Sequence, residues 1–172
     1  MFSTTSNKIT LFRILLVPVF LLLAYTDRLR WAFVVYITAS VSDFADGHIA
    51  RSYNQISAAG KFLDPLADKM LVLAAMCYFI EAGQMSGWCV AAVLFREFAV
   101  SGLRLIAVEK GRVIAAAWSG KIKTAATMVC LGVMMAFPDH AVMNIICSAI
   151  ILITTVYSGI EYFLKNKDVL KA

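Results

Sequence analysis

Asp43, Asp46, Asp64 and Asp68 stand inside stretches apolar enough to cross a bilayer, and acids at that depth need a physical reason. They read Asp43-x-x-Asp46-Gly47-x-x-Ala50-Arg51, then eight residues, then Gly60-x-x-x-Asp64-x-x-x-Asp68. Residues three and four apart share a helix face, so 43, 46, 47 and 50 form one row and 60, 64 and 68 another. Two facing helices would gather four carboxylates beside Gly47 and Gly60, which lack side-chain bulk. Four unpaired anions would repel one another. A divalent, magnesium-like ion removes that repulsion, and such an ion carries a phosphate-bearing substrate with it. Pairing with Arg51, Lys61 or Lys69 is the competing explanation, but it serves one or two carboxylates and not four in two helical rows. For either glycine taken alone, small-residue helix packing is explanation enough.

The elements that must hold these acids follow from composition. The chain has 172 residues, 61% hydrophobic and 16% charged, and a mean hydropathy of +0.79. A soluble domain of this size needs more polar surface, so the expectation is an all-α integral membrane protein forming a single domain over residues 1–172. Six apolar segments approach the ~20 residues that span a bilayer: Ile9–Tyr25, Trp31–Ser52, Ala58–Ile80, Gly87–Val108, Ala116–Phe137 and Ala141–Leu164. The first resembles a signal peptide but has no small-residue cleavage site, and it is expected to remain as the first of six transmembrane helices. Short connections make consecutive helices antiparallel neighbours. Beta structure is excluded, because the apolar runs are long and lack the alternation of a barrel wall.

Lysine and arginine set the orientation. With the N-terminus inside, Lys8, Arg13, Arg51, Lys61, Arg104, Lys110 and Arg112 fall on one side together with Lys121, Lys123, Lys165, Lys167 and Lys171, while Arg28 and Arg30 fall on the other. Both termini are then cytoplasmic, in a multi-pass protein of the cell membrane. Asp43 lies about 18 Å along its helix from Trp31, which opens the acidic site to the cytoplasm near headgroup level. A net charge of +5 suits anionic lipid or phosphate partners; nucleic acid does not fit, since no loop carries a basic stretch with interleaved aromatics. Cys77, Cys89, Cys130 and Cys147 lie in apolar stretches without metal-ligand spacing and read as packing.

The eight fixed positions from Asp43 to Asp68 resemble the signature of the CDP-alcohol phosphotransferases, membrane enzymes that build phospholipids. The resemblance implies six transmembrane helices and a homodimer. It implies two divalent ions, Mg2+ or Mn2+, held by Asp43, Asp46, Asp64 and Asp68, and Asp68 as general base. It also implies that CDP is gripped by Asp43, Asp46, Gly47, Ala50, Arg51 and Gly60. Further along, Thr10-Leu11-Phe12-Arg13, Arg96-Glu97-Phe98, Ser101-Gly102-Leu103-Arg104, Gly120-Lys121-Ile122-Lys123-Thr124 and Ser158-Gly159-Ile160-Glu161-Tyr162 look like the bacterial phosphatidylglycerophosphate synthases, from about Asn7 to Asp168. That likeness implies CDP-diacylglycerol and glycerol 3-phosphate as substrates, and phosphatidylglycerophosphate and CMP as products.

The residues themselves point toward a phosphorylated acceptor. Arg96 and Glu97 sit mid-helix, where charge is costly and tends to face a cavity. A structural Arg96–Glu97 pair is one option, although adjacent helical side chains diverge and each then needs other partners. Arg96, Arg104, Lys121 and Lys123 are the candidate phosphate ligands, Lys121 and Lys123 lying beside Gly120 and opposite an arginine. Arg104, Lys121 and Lys123 also fit as topological anchors. The competing functions are a sibling enzyme with another acceptor, phosphatidylglycerol or inositol phosphate, and a small cation transporter, which has no use for the Gly47, Ala50, Arg51 and Gly60 spacing.

Overall fold

The computed structural model describes the backbone of residues 5–53, 58–115 and 117–169, and the side chains of 11–42, 69–115 and 117–169. Among these residues the chain forms six helices and no strand: α1 (Thr5–Tyr25), α2 (Leu29–Tyr53), α3 (Ala58–Glu81), α4 (Gly87–Glu109), α5 (Trp118–Ala136) and α6 (Ala141–Lys165), then a 3-10 turn at Lys167–Val169. Each apolar segment of the sequence becomes one helix.

Local chemistry ends the helices where the hydropathy breaks. After α3, Gly83 takes φ +70°, which lets its N–H reach the carbonyl of Ile80 at 3.0 Å while Gln84 N–H reaches that of Phe79 at 2.9 Å. This paired closure satisfies carbonyls the helix would otherwise leave open. Gly111 repeats it after α4, with φ +69° and bonds to Val108 at 2.9 Å and, through Arg112, to Ala107 at 2.8 Å. Asp27 fills the left-handed position after α1 at φ 57°, and Arg28 N–H bonds to Leu23 at 3.1 Å. At the start of α4 the Ser86 hydroxyl accepts from Trp88 N–H at 3.3 Å, an N-cap bond.

The helices run up and down. α1 packs along both α2 and α3, α5 along α6, α4 along α6, and α2 crosses to α5. Sequence neighbours are therefore not always the principal partners: α4 rests chiefly on α6. One end of the bundle is tied by Tyr25 donating to Glu81 at 2.6 Å and by Gln84 and Asn144 both donating to the Pro138 carbonyl, at 3.0 and 3.3 Å. The main core is formed by Phe20, Tyr36, Met76, Phe79, Leu131 and Met134. A second core of Val100, Leu103, Ala107, Tyr162 and Val169 seats the 3-10 turn against α4 and α6. Lys110 donating to the Val169 carbonyl at 3.0 Å and an Arg112–Asp168 ion pair tie the turn to the α4–α5 connection.

Among the described residues α6 is long and apolar enough to cross a bilayer, and Leu11–Tyr25 and Leu29–Ser42 are shorter apolar stretches. Large apolar side chains face outward throughout. Phe95 and Phe98 on α4 are more than 70% exposed, an arrangement that water opposes and lipid accepts.

Candidate active site

Three helices converge on one carboxylate. Glu97 on α4 places Oε2 3.2 Å from Nζ of Lys69 on α3. Its Oε1 accepts from Lys123 Nζ on α5 at 3.0 Å and from Arg96 Nη1 at 2.9 Å. The Lys123 side chain is 6% exposed and that of Arg96 12%, so these two are largely withdrawn from their surroundings, while that of Lys69 is 41% exposed. Glu97 lies ten residues from the start of α4, about 15 Å along the axis and well inside the helix. Among the described residues, three cations against one anion leave two positive charges there.

Arg96 occupies a channel made by two glycines. A methyl group on Gly120 of α5 would stand 3.1 Å from Arg96 Nη2, and one on Gly159 of α6 would stand 3.3 Å from Arg96 Cγ. The glycines let both helices close around the guanidinium and its stem. This also explains why Arg96 and Glu97 pair although adjacent helical residues point apart: the long arginine folds through the space the glycines vacate and returns to its neighbour.

The four expected acceptor ligands fall into two groups. Arg96 and Lys123 share Glu97. Arg104 and Lys121 are exposed, and each is held by an aromatic side chain. Arg104 Nε donates to Tyr162 Oη at 2.9 Å, and its guanidinium lies 5.6 Å from the Tyr162 ring centre. Lys121 Nζ stands 4.8 Å from the Trp118 ring centre, a cation–π contact. Lys121 and Lys123 are two apart on α5, which turns them to different sides. Arg104 lies about 12 Å beyond Arg96 on α4.

Asp43 and Asp46 belong to α2 and Asp64 and Asp68 to α3. Their side chains lie outside the described residues, as do those of Gly47, Ala50, Arg51 and Gly60. The donor set itself fits the expected metal, since four carboxylates are hard oxygen ligands of the kind magnesium and manganese take. Lys69 joins the two regions: it follows Asp68 directly in the chain and reaches Glu97.

Sequence reasoning gave Glu97 no role in the site and did not find Tyr162. The signal for Glu97 was its charge within an apolar helix. Tyr162 stands in the Ser158–Tyr162 stretch of the resemblance, but nothing there pointed to Arg104, which lies 58 positions away. Arg13, only 2% exposed on α1, is a further buried charge whose sole signal was its apolar setting.

Between α2 and α5 runs an open apolar groove of about 360 Å³, lined in part by Phe33, Ile37, Ser40, Val129 and Gly132. Its Ser40 end lies three residues before Asp43 on the same helix.

A family model described as CDP-alcohol phosphatidyltransferase matches residues 3–158. The CDP-diacylglycerol–glycerol-3-phosphate 3-phosphatidyltransferase of Bacillus subtilis (strain 168) is 37% identical, over 96% of each chain. A probable phosphatidylglycerophosphate synthase of Mycobacterium tuberculosis is 34% identical, over 93% of this chain and 80% of that one. The Escherichia coli (strain K12) CDP-diacylglycerol–glycerol-3-phosphate 3-phosphatidyltransferase is 38% identical, over 76% of each. With the eight-position aspartate and glycine pattern intact and relatives of this likeness along its length, this chain belongs to the CDP-alcohol phosphatidyltransferase family.

Proposed function

We propose that this protein transfers the phosphatidyl group of CDP-diacylglycerol to glycerol 3-phosphate, giving phosphatidylglycerophosphate and CMP. The observation that carries the choice of acceptor is the 37% identity across 96% of both chains with the Bacillus subtilis enzyme of that activity. The surplus of positive charge around Glu97 among the described residues supports it, because a phosphorylated acceptor answers that charge and a neutral alcohol does not.

The reaction divides between the helices. The stretch from Asp43 to Gly60 holds the CDP end of the donor, with Gly47 and Gly60 giving it room, Ala50 beside them and Arg51 adding a cation. Asp43, Asp46, Asp64 and Asp68 would hold Mg2+ or Mn2+, in keeping with the divalent-metal dependence general in this family. A metal held there would supply positive charge to offset that of the donor's pyrophosphate. Arg96 and Lys123, with Arg104 and Lys121 nearer the mouth, hold the acceptor's phosphate. Asp68 accepts the proton from the acceptor's C1 hydroxyl as that oxygen bonds to the phosphorus bearing diacylglycerol. The bond from this phosphorus to the CMP oxygen breaks, and CMP leaves. The α2–α5 groove offers an acyl chain a path from Asp43 into the bilayer.

In this reading all six helices span the cell membrane, both termini are cytoplasmic, the site opens to the cytoplasm, and the enzyme works as a homodimer. The test is a screen of radiolabelled acceptors with CDP-diacylglycerol in detergent, following CMP release with magnesium, manganese or chelator. Metal-dependent release with glycerol 3-phosphate is expected. Release with phosphatidylglycerol or inositol phosphate instead would reassign the acceptor, and no release with any acceptor would leave a transporter as the better reading.

A further inference from the structure

We propose that Glu97 is a positioning residue for the acceptor: it gathers Lys69, Arg96 and Lys123 from three helices so that their charge is presented at one fixed place. The inference rests on the reading of the acceptor given above and deepens it. Three cations brought together at this depth repel one another, and long basic side chains relieve such strain by extending toward the headgroups. The Glu97 carboxylate opposes that escape by receiving Lys69 at 3.2 Å on one oxygen and Arg96 and Lys123 at 2.9 and 3.0 Å on the other. Gly120 and Gly159 hold the Arg96 side chain from two further directions. Among the described residues one anion faces three cations, so the cluster is assembled yet remains positive by two charges.

A purely electrostatic role and a positioning role predict opposite outcomes for Glu97→Gln. Glutamine keeps the shape and makes the cluster more positive by one charge. If Glu97 only tempered the field, the variant would bind an anion more tightly. If it positions the cations, the variant binds the anion more weakly despite the added charge. The expected result is a KM for glycerol 3-phosphate raised about tenfold or more, the scale set by charge-assisted hydrogen bonds, with the KM for CDP-diacylglycerol within about twofold of wild type. Glu97→Asp, which keeps the charge on a shorter arm, should fall between the two.

Binding of inorganic phosphate to the detergent-solubilised full chain, followed by thermal shift, gives a readout independent of turnover. Glu97→Gln should need about tenfold more phosphate for the same shift. An unchanged or lower phosphate requirement, or equal losses for both substrates, would overturn the positioning role. Should wild type release no CMP with glycerol 3-phosphate while phosphate binding still weakens in Glu97→Gln, the acceptor assignment fails and the role of Glu97 stands.

Discussion

Tyr162→Phe isolates one hydrogen bond. Tyr162 is 2% exposed and packs in the small core with Val100, Leu103, Ala107 and Val169. Phenylalanine keeps the ring, its packing and its face toward Arg104, and removes only the oxygen that receives Arg104 Nε at 2.9 Å. A hydrogen bond to a charged group is worth about 1.5–3 kcal/mol when well buried. Arg104 is exposed, so solvent returns part of that and about 1 kcal/mol is the reasonable expectation. If Arg104 grips the acceptor's phosphate only when so held, the KM for glycerol 3-phosphate rises about fivefold with kcat nearly unchanged. The assay is initial CMP release against glycerol 3-phosphate at saturating CDP-diacylglycerol. A double-mutant cycle sharpens it, because on an Arg104→Ala background Tyr162→Phe should have no further effect. An unchanged KM in the single variant, or an equal penalty on both backgrounds, would refute the idea that Tyr162 acts through Arg104.

Asp68→Asn should lower kcat by about 10²–10⁴-fold while CDP-diacylglycerol still binds, and chelation should stop wild-type turnover until magnesium or manganese is restored. Gly120→Ala puts a methyl group 3.1 Å from Arg96 Nη2 and Gly159→Ala puts one 3.3 Å from its Cγ, so the side chain must shift by a few tenths of an ångström in each; the KM for glycerol 3-phosphate should rise in both, and more in Gly120→Ala, where the guanidinium bound to Glu97 is itself displaced. Gly83→Ala meets no neighbour but forces a side chain into φ +70°, so it should cost about 1 kcal/mol of stability, read as a lower Tm, with KM values unchanged.

Helix ends were legible because chain chemistry and hydropathy break at the same places. Gly83 and Gly111 can take the left-handed conformation without strain, and both stand at the first polar interruption after an apolar run. α1 begins at Thr5, ahead of the apolar run expected from Ile9, because hydropathy measures what a bilayer tolerates and not how far a helix continues into polar residues. Within one helix, spacing places the aspartates in rows, but Lys121 and Lys123, read as a pair beside Gly120, go to different partners, Trp118 and Glu97. Between helices it is silent. Glu97 was visible as a costly charge, but Lys69 on α3 and Lys123 on α5 become its partners only through packing. Lys69 read just as naturally as a partner for the aspartates beside it.

The placement of sign across the bundle gives a reason for an acid in the proposed anion-binding cluster. Burying several ammonium and guanidinium groups without counterions is expensive, and a site carrying three would collapse toward the headgroups or force its helices apart. Among the described residues, Glu97 offsets enough charge for Lys69, Arg96 and Lys123 to coexist, yet leaves two positive charges that a ligand would answer. A phosphate monoester carries roughly 1.5–2 negative charges near neutral pH, so glycerol 3-phosphate closes the account almost completely. An uncharged alcohol would dock against the same cations and leave them unanswered. Discrimination would then arise from the penalty borne by the wrong acceptor and not only from contacts to the right one. On that view Glu97→Gln should do more than weaken the acceptor: a cluster of three unopposed cations would scatter in the empty site, and the advantage of glycerol 3-phosphate over glycerol would shrink with it.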